Sequence, residues 1–553
     1  MNIKNYILSL FNNSKTSSND SNVFSVQSLL DDYLTYYQTL PLESFVCNVT
    51  LTRSGLFVML PENLDIDIHV SKFPPESYGF TTSLKGFDND KLYNLLGLLS
   101  SIPARNKDII VDDGYIPLNA KILNSYMTDY NFYLNYLIRT GVIIRDREEE
   151  YVKGKSRRYK WTEPYVNSKF IRVEMPKFSK LNEVKKKITI KEFSTLMEER
   201  QHYMEEYPYL KYWYNQNKLE IDVDKAEKYA FALKNYKMTQ GIEYWDWNKD
   251  KDKYKHPFNQ YTAILENLHS IAFNNDYKVQ IDTHVHRLHS VLTNMQKEFR
   301  NFLTYDNKRL VSIDIKNSQP YLSCLLFNPD FWNENSSLDL SLNKLPQNII
   351  DSIRFQPPRV NSIPITTALN DFFRSLEDGG FDTYKNIVSS GNMYETIMTW
   401  VQEETGQPIL RDNAKTTMFR LIFSSNRENR EDENHWLITY YKKKFPHVAN
   451  LFKIIKKQYM GSDEKKQYGR LACLLQSIES EVILHRCCKR IWVENNQQIP
   501  IFTIHDSIAT TLENEEYVKS IMAEELTNAI GVSPTLASEY WYEDKLEHQE
   551  FLQ

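Results

Sequence analysis

Two acids lie inside otherwise hydrophobic strand patterns. In "VSIDIKNSQPYL" (311–322), Val311, Ile313 and Ile315 alternate as a buried strand would, yet Asp314 interrupts them and Lys316–Asn317–Ser318–Gln319 follows. In "IPIFTIHDSIATTL" (499–512), a strand pattern runs into a tight His505–Asp506–Ser507 turn and a second strand. Alone, each acid reads as an ordinary turn or cap residue. Side by side, two carboxylates repel by about 1 kcal/mol in water and about 4 kcal/mol at a protein surface. A divalent cation between them removes that repulsion. Hard oxygen ligands with open positions suit Mg²⁺, which keeps waters and accepts substrate phosphates, and two such ions can activate an attacking oxygen and stabilise a leaving one. A third stretch, "LRDNAKTTMFRLIFSS" (410–425), sets Arg411, Lys415, Phe419 and Phe423 at steps of four. On a helix each such step drifts about 40°, so the four side chains form one stripe. Two cations and then two flat rings suit a nucleotide better than a core.

The elements that must carry these residues are legible nearby. Residues 409–445 contain neither Gly nor Pro, which predicts a long helix or a helix pair. From 281 onward, apolar strands alternate with long helices, whereas 193–280 is mainly helical, polar and rich in aromatics.

With these residues quoted, the chain resembles the family A polymerases: bacterial DNA-repair-type enzymes and, more distantly, phage-type single-subunit RNA polymerases. The family's fingers helix reads R-x3-K-x3-[FY]-x3-Y-G, matched by Arg411, Lys415, Phe419 and Phe423. Its first palm motif opens on a metal-binding Asp, matched by Asp314, and its second is an apolar strand before H-D-[ES], matched by His505, Asp506 and Ser507. "THVHRLHSVLTN" (283–294), "LLQSIESEVI" (474–483) and "SPTLASEYW" (533–541) follow in the family's order, so the resemblance spans 281–542. It implies an α+β right-hand polymerase fold (palm, fingers and thumb) behind an N-terminal helical and winged-helix region. It further implies that Asp314, Asp506 and the carbonyl of Ile315 hold two Mg²⁺ ions, with Mn²⁺ able to substitute. Arg411 and Lys415 would bind the triphosphate, Lys415 also serving as a catalytic proton donor to pyrophosphate. Phe419 and Phe423 would flank the nascent pair, and Gln319 the sugar. Arg287, Thr293, Asn294, Gln476 and His505 would contact primer and template. The implied partners are a DNA template–primer and deoxynucleoside triphosphates, with RNA as an alternative. Two departures bear on function. Phe423–Ser424 replaces the Tyr-Gly that ends the fingers motif, and Gln319 stands where the DNA polymerases have Glu and the RNA polymerases Gly. Gln is nearly as bulky as Glu, which favours deoxynucleotides.

Bulk properties set the frame. The chain has 553 residues, 41% apolar and 25% charged, and a net charge of −5, so a nucleic-acid site must be a local basic patch. Cys47, Cys324, Cys473, Cys487 and Cys488 form no C-x-x-C pair, which fits a reduced, cytoplasmic compartment. No run reaches the length of a membrane span. "KGKS" (153–156) lacks the upstream glycine of a Walker A loop, and H-E-x-x-H, G-x-S-x-G and G-x-G-x-x-G are absent.

Upstream of 281, "IPLNAKILNSYM" opens a helix after Asn119, with Ile122, Leu123 and Tyr126 on one side. Thr128–Asp129 breaks it, "YNFYLNYLIRTG" forms a second helix ending at Gly141, and a strand, a charged hairpin tip and another strand follow. Helix–turn–helix–hairpin is a winged-helix layout and predicts DNA contact. Residues 151–192 carry thirteen Lys or Arg against four acids, with aromatics interleaved, and read as a phosphate-tracking segment. The expected organisation is a flexible tail (1–22), a region without assigned role (23–104), a winged-helix-like domain (105–165), a basic linker and thumb-like helices (166–280), and palm with fingers (281–553). No D-x-E exonuclease signature precedes 281. The expected function is template-directed DNA synthesis without proofreading, for a phage, plasmid or mobile element. Three alternatives stay open: a primase or RNA polymerase on the same palm, a template-independent polymerase in phage defence, and a non-catalytic replication initiator.

Overall fold

The computed structural model describes residues 57–80, 87–146, 156–174, 207–248, 251–273, 279–354, 363–376, 379–426, 435–457 and 469–553. The expected tail (1–22), the hairpin tip (147–155) and the basic run beyond 174 lie outside these residues, as do the side chains of Ile122 and Tyr126.

The first part of the described chain mixes helices with two small sheets. Strand β1 (Phe57–Pro61) is followed by helix α1 (Asn89–Arg105), whose Asp88 cap accepts from the Asp90 N–H. Next come β2 (Ile116–Leu118), α2 (Ala120–Tyr126), α3 (Tyr130–Arg139), β3 (Ile143–Arg145) and β4 (Arg157–Trp161). These three strands form an antiparallel sheet in the order β2-β4-β3. Gly141, at φ +77°, ends α3, with the Gly141 and Val142 N–H groups returning to the Ile138 and Leu137 carbonyls. β5 (Phe170–Glu174) pairs antiparallel with β1 across more than a hundred residues of chain. Helix α3 is sheathed on a second side. Tyr136 is fully buried among His69, Phe80 and Phe87, and its hydroxyl donates to the Phe73 carbonyl.

β6 (Leu219–Ile221) leads into α4 (Val223–Gln240) and α5 (Pro257–Ala272). α5 packs against both α1 and α4, and its Phe258, Tyr261, Leu265 and Leu268 are buried. Short helix α6 (Val291–Asn294) precedes β7 (Leu303–Tyr305) and β8 (Lys308–Ile315). The boundaries drawn from sequence at 104, 165 and 280 do not coincide with breaks in packing. α1 spans the first of them, the β1–β5 pair joins the segments on either side of the second, and β6 pairs with β7 across the third. The described residues form one compact unit.

Later helices include α7 (Met393–Thr405), α8 (Arg411–Phe423), α9 (His435–Lys444), α10 (Pro446–Ile455) and α11 (Arg470–Ser480). α8 packs against α7, α9, α10 and α11, and the Tyr441 hydroxyl of α9 donates to the Ala414 carbonyl. The Gly- and Pro-free stretch is thus a helix pair. α11 continues without a break into a π-helical segment (Glu481–Cys488) and a last α-helical piece (Lys489–Glu494). β9 (Phe502–Ile504), β10 (Ser507–Thr511), α12 (Glu515–Ile530) and β11 (Leu536–Tyr540) close the chain. The main sheet runs β9-β10-β8-β7-β6, with β11 also on β8. Cys324, Cys473, Cys487 and Cys488 are free thiols. Among the described residues, no helix is long and apolar enough to cross a membrane.

Candidate active site on the central strand

β8 is the strand on which the site is built. Val311, Ile313 and Ile315 are buried as expected, and the strand is paired on both sides, with Asp314 opposite Ser507 of β10 and Ala537 of β11. Ile504 pairs with Ser507, so His505 and Asp506 form the whole hairpin turn, with His505 in the left-handed region at φ +55°. That register sets Asp506 beside Asp314, close enough for the two carboxyls to share a hydrogen bond. Burial first, and then the Asp506 charge, push Asp314 up to about 7; Glu539 of β11 adds to this and Lys297 opposes it. Lys297 itself is 2.9 Å from Glu539.

A third carboxyl completes the group, and sequence reasoning missed it. Glu479 of α11 is only 1% exposed. Gln319 Nε2 donates to its Oε2 at 2.6 Å, and Arg287 Nη2 reaches the same oxygen at 2.8 Å. Burial pushes Glu479 up to about 8; Arg287 opposes this, while Asp506 and Asp314 add to it. A signal was present: Leu471, Leu475 and Glu479 follow one another at steps of four, so an acid occupies the apolar face of its helix.

Several expected contacts are corrected by this arrangement. Gln319 is buried and bonded to Glu479 rather than fronting the cleft as a sugar contact. Thr293 is buried too, in a reciprocal capping box with Ser290 at the start of α6, where its hydroxyl is bonded to the Ser290 backbone N–H and carbonyl. Asn294 is half-buried at the end of the same helix, its N–H on the Ser290 carbonyl, and Gln476 is half-buried one turn before Glu479. Arg287 is presented by a loop organised around Asp282, which accepts from the N–H groups of His284, Val285 and Arg287 and lies 3.0 Å from the His289 ring.

The α8 stripe faces outward. Arg411 and Lys415 are exposed and Phe419 and Phe423 half-buried, while Ala414, Met418, Leu421 and Ile422 hold the opposite face in the core. The two rings stack at 5.3 Å, and Lys415 Nζ lies 5.8 Å from the Phe419 centroid. Arg411 Nε is 2.6 Å from Glu395 Oε1, and its guanidinium sits over the Tyr394 ring at 5.2 Å. Tyr394 lies beneath Arg411. Burial pushes its hydroxyl up to about 12, Arg411 opposes, and Glu395 and Asp506 add. Positive charge also gathers at the turn. His505 is exposed, yet its charged form is disfavoured by partial desolvation of the ring and then by Arg287, Lys107, His289 and Arg300.

Among the described residues, no group of three or more His, Cys, Asp or Glu side chains is set to hold a metal alone. The Asp314–Asp506 pair nevertheless fits a hard divalent cation. Its two carboxyls repel each other in a partly desolvated place, and two carboxylates with a backbone carbonyl leave positions for water and phosphate, as Mg²⁺ prefers.

No family model and no curated protein matches the chain. Among solved structures, the chain is similar to the POL domain of Pol1 from M. smegmatis in complex with DNA primer-template and dNTP, at 11% identity, over 60% of this chain and 69% of that one, with a TM-score of 0.29. A likeness that slight carries no weight, and what this chain can do is read from its side chains.

Proposed function

We propose that this protein is a nucleotidyltransferase that extends a nucleic-acid 3′ end, with template-directed DNA synthesis as its reaction. One observation carries the reading: Asp314 and Asp506 sit side by side on the central sheet, and the same chain presents an exposed cation-then-aromatic stripe on α8. When bound, a divalent cation held by Asp314, Asp506 and the Ile315 carbonyl would supply charge neutralisation for phosphoryl transfer. The chain's own groups do the rest. Arg411 and Lys415 hold the triphosphate, Lys415 gives a proton to pyrophosphate, and Phe419 offers its face to the incoming base. Before a phosphate reaches Arg411, the Glu395 contact must open; both partners are about half exposed, so this costs at most about 1 kcal/mol. Glu479 is a positioning residue that holds Arg287 and Gln319 at the edge of the acid pair.

Because Gln319 is engaged by Glu479, discrimination against a ribose is weaker than a free side chain would give, and use of ribonucleotides by the same site is the second reading. Duplex binding is assigned to the β3–β4 hairpin of the 105–165 segment, which carries exposed Arg157, rather than to sheathed α3.

The test is extension of labelled primers on DNA and RNA templates, and without template, using deoxy- or ribonucleotides. Asp314→Asn and Asp506→Asn should each lower extension by at least about a thousandfold, which is about 4 kcal/mol, with primer–template binding kept. Full activity in either variant would remove the assignment.

A further inference from the structure

A cavity of about 210 Å³ opens where the end of α1, the side of α5 and the turn after α6 meet, and the site above does not use it. Pro103, Ala104, Ile110, Ala263 and Ile264 give it apolar walls. Four amide side chains, Gln260, Asn267, Asn294 and Gln296, supply polar groups. Gln260 is only 6% exposed, and its Nε2 donates to Asp246 Oδ2 at 2.6 Å. That bond fixes the orientation of the amide and leaves a buried Oε1 with no partner among the described residues. The side chains of Asn267, Asn294 and Gln296 likewise have no hydrogen-bond partner among the described residues. Charge in the lining is mixed: Lys107, Lys255 and Lys297 face Asp246 and Glu298, and Lys297 and Asp246 also have ionic partners in Glu539 and Lys237.

From this lining we infer that the cavity is a binding site for a purine or pyrimidine base, separate from the α8 stripe. A base is flat and uncharged, with apolar faces and an edge of donors and acceptors. Apolar walls suit its faces, and amide side chains can meet both kinds of edge group. A buried amide oxygen without a partner costs about 1–3 kcal/mol, and an amino group on the base relieves that cost by donating to Gln260 Oε1. The volume lies below the roughly 300–1,000 Å³ of sites that enclose drug-sized ligands, so it suits one ring system rather than a whole nucleoside triphosphate. Lys297 lines the cavity and lies 2.9 Å from Glu539 of β11, the strand paired with β8, so the occupant would sit near the central sheet.

The test is saturation-transfer NMR of the full chain with adenosine, guanosine, cytidine and thymidine in metal-free buffer. Phe419→Ala removes the α8 ring as a competing contact, and this variant should still bind at least one nucleoside, while ribose 5-phosphate should not bind. Adding Asn267→Leu and Gln296→Leu should weaken that binding at least about tenfold, with circular dichroism checking the fold; if the fold is lost, Asn267→Asp alone serves. Displacement of the nucleoside by a short DNA single strand, but not by an abasic strand of the same length, assigns a base carried on a nucleic acid. Failure of both strands to displace it assigns a free nucleoside. Absence of nucleoside binding in the Phe419→Ala variant, equal binding of ribose 5-phosphate, unchanged binding after the amide changes, or equal displacement by the abasic strand would overturn the proposal. Absence of primer extension would leave these measurements standing, so the two readings fail separately.

Discussion

At the scale of single residues, Asp314 is the group whose protonation folding changes most consequentially. It holds its proton up to about 7 in the folded chain, against 3.8 for the free side chain. Between those values the folded state binds more protons than the unfolded one, so stability falls as pH rises through this window and levels off above it. Metal-free Asp314→Asn should therefore be more stable than the parent by about 2–4 kcal/mol at pH 8 and nearly equal to it at pH 4. Urea melts at both pH values check this, and a stability gap independent of pH would contradict it. The two aspartates and the α8 stripe were legible because each stands out against its immediate neighbours in the chain. Glu479 was not, because its partners lie 160 and 192 residues away, and nothing local says that an acid on an apolar helix face will find them.

At the scale of elements, period was a good guide and side-chain commitment was not. The alternation of β8 and the four-residue steps of α8 follow from which face each element buries, which sequence displays. Thr293 and Gln319 looked available because they are polar, but one is spent on a capping box and the other on a buried carboxyl. Ser290→Ala should cost about 1 kcal/mol in thermal or urea melts, since it removes the acceptor for the Thr293 N–H at the start of α6. The Thr293 hydroxyl would keep its bonds to the backbone N–H and carbonyl of residue 290. A change near zero would mean that packing rather than the cap holds α6.

At the scale of the whole molecule, the expectation of consecutive modules gave way to a chain whose early and late parts share sheets and helix contacts. Boundaries drawn at 104, 165 and 280 rested on a local helix–hairpin layout and on where the family resemblance begins, and neither reports that β1 returns to β5 or that β6 joins the main sheet. Starting the chain at residue 166 would strip β1 from β5 and uncover the side of α5 that packs on α1. Such a truncation should melt at least about 10 °C below the full chain or aggregate on expression, given that a few kcal/mol is a large share of a domain's stability. An unchanged melting temperature would restore independent modules.

The π-helical segment that follows α11 bears on how the third acid is held. Glu479, Ile483, Cys487 and Ile491 are all buried, at steps of four residues. In ordinary α-helical winding such steps precess by about 40° each and would carry the row around the rod; wider π turns keep it aligned along one side. Side-chain identity between 481 and 488 can then drift so long as the row stays apolar. A single inserted or lost residue there would swing Glu479 by about 100°, so chain length at a distance, more than chemistry nearby, sets the aim of this carboxyl.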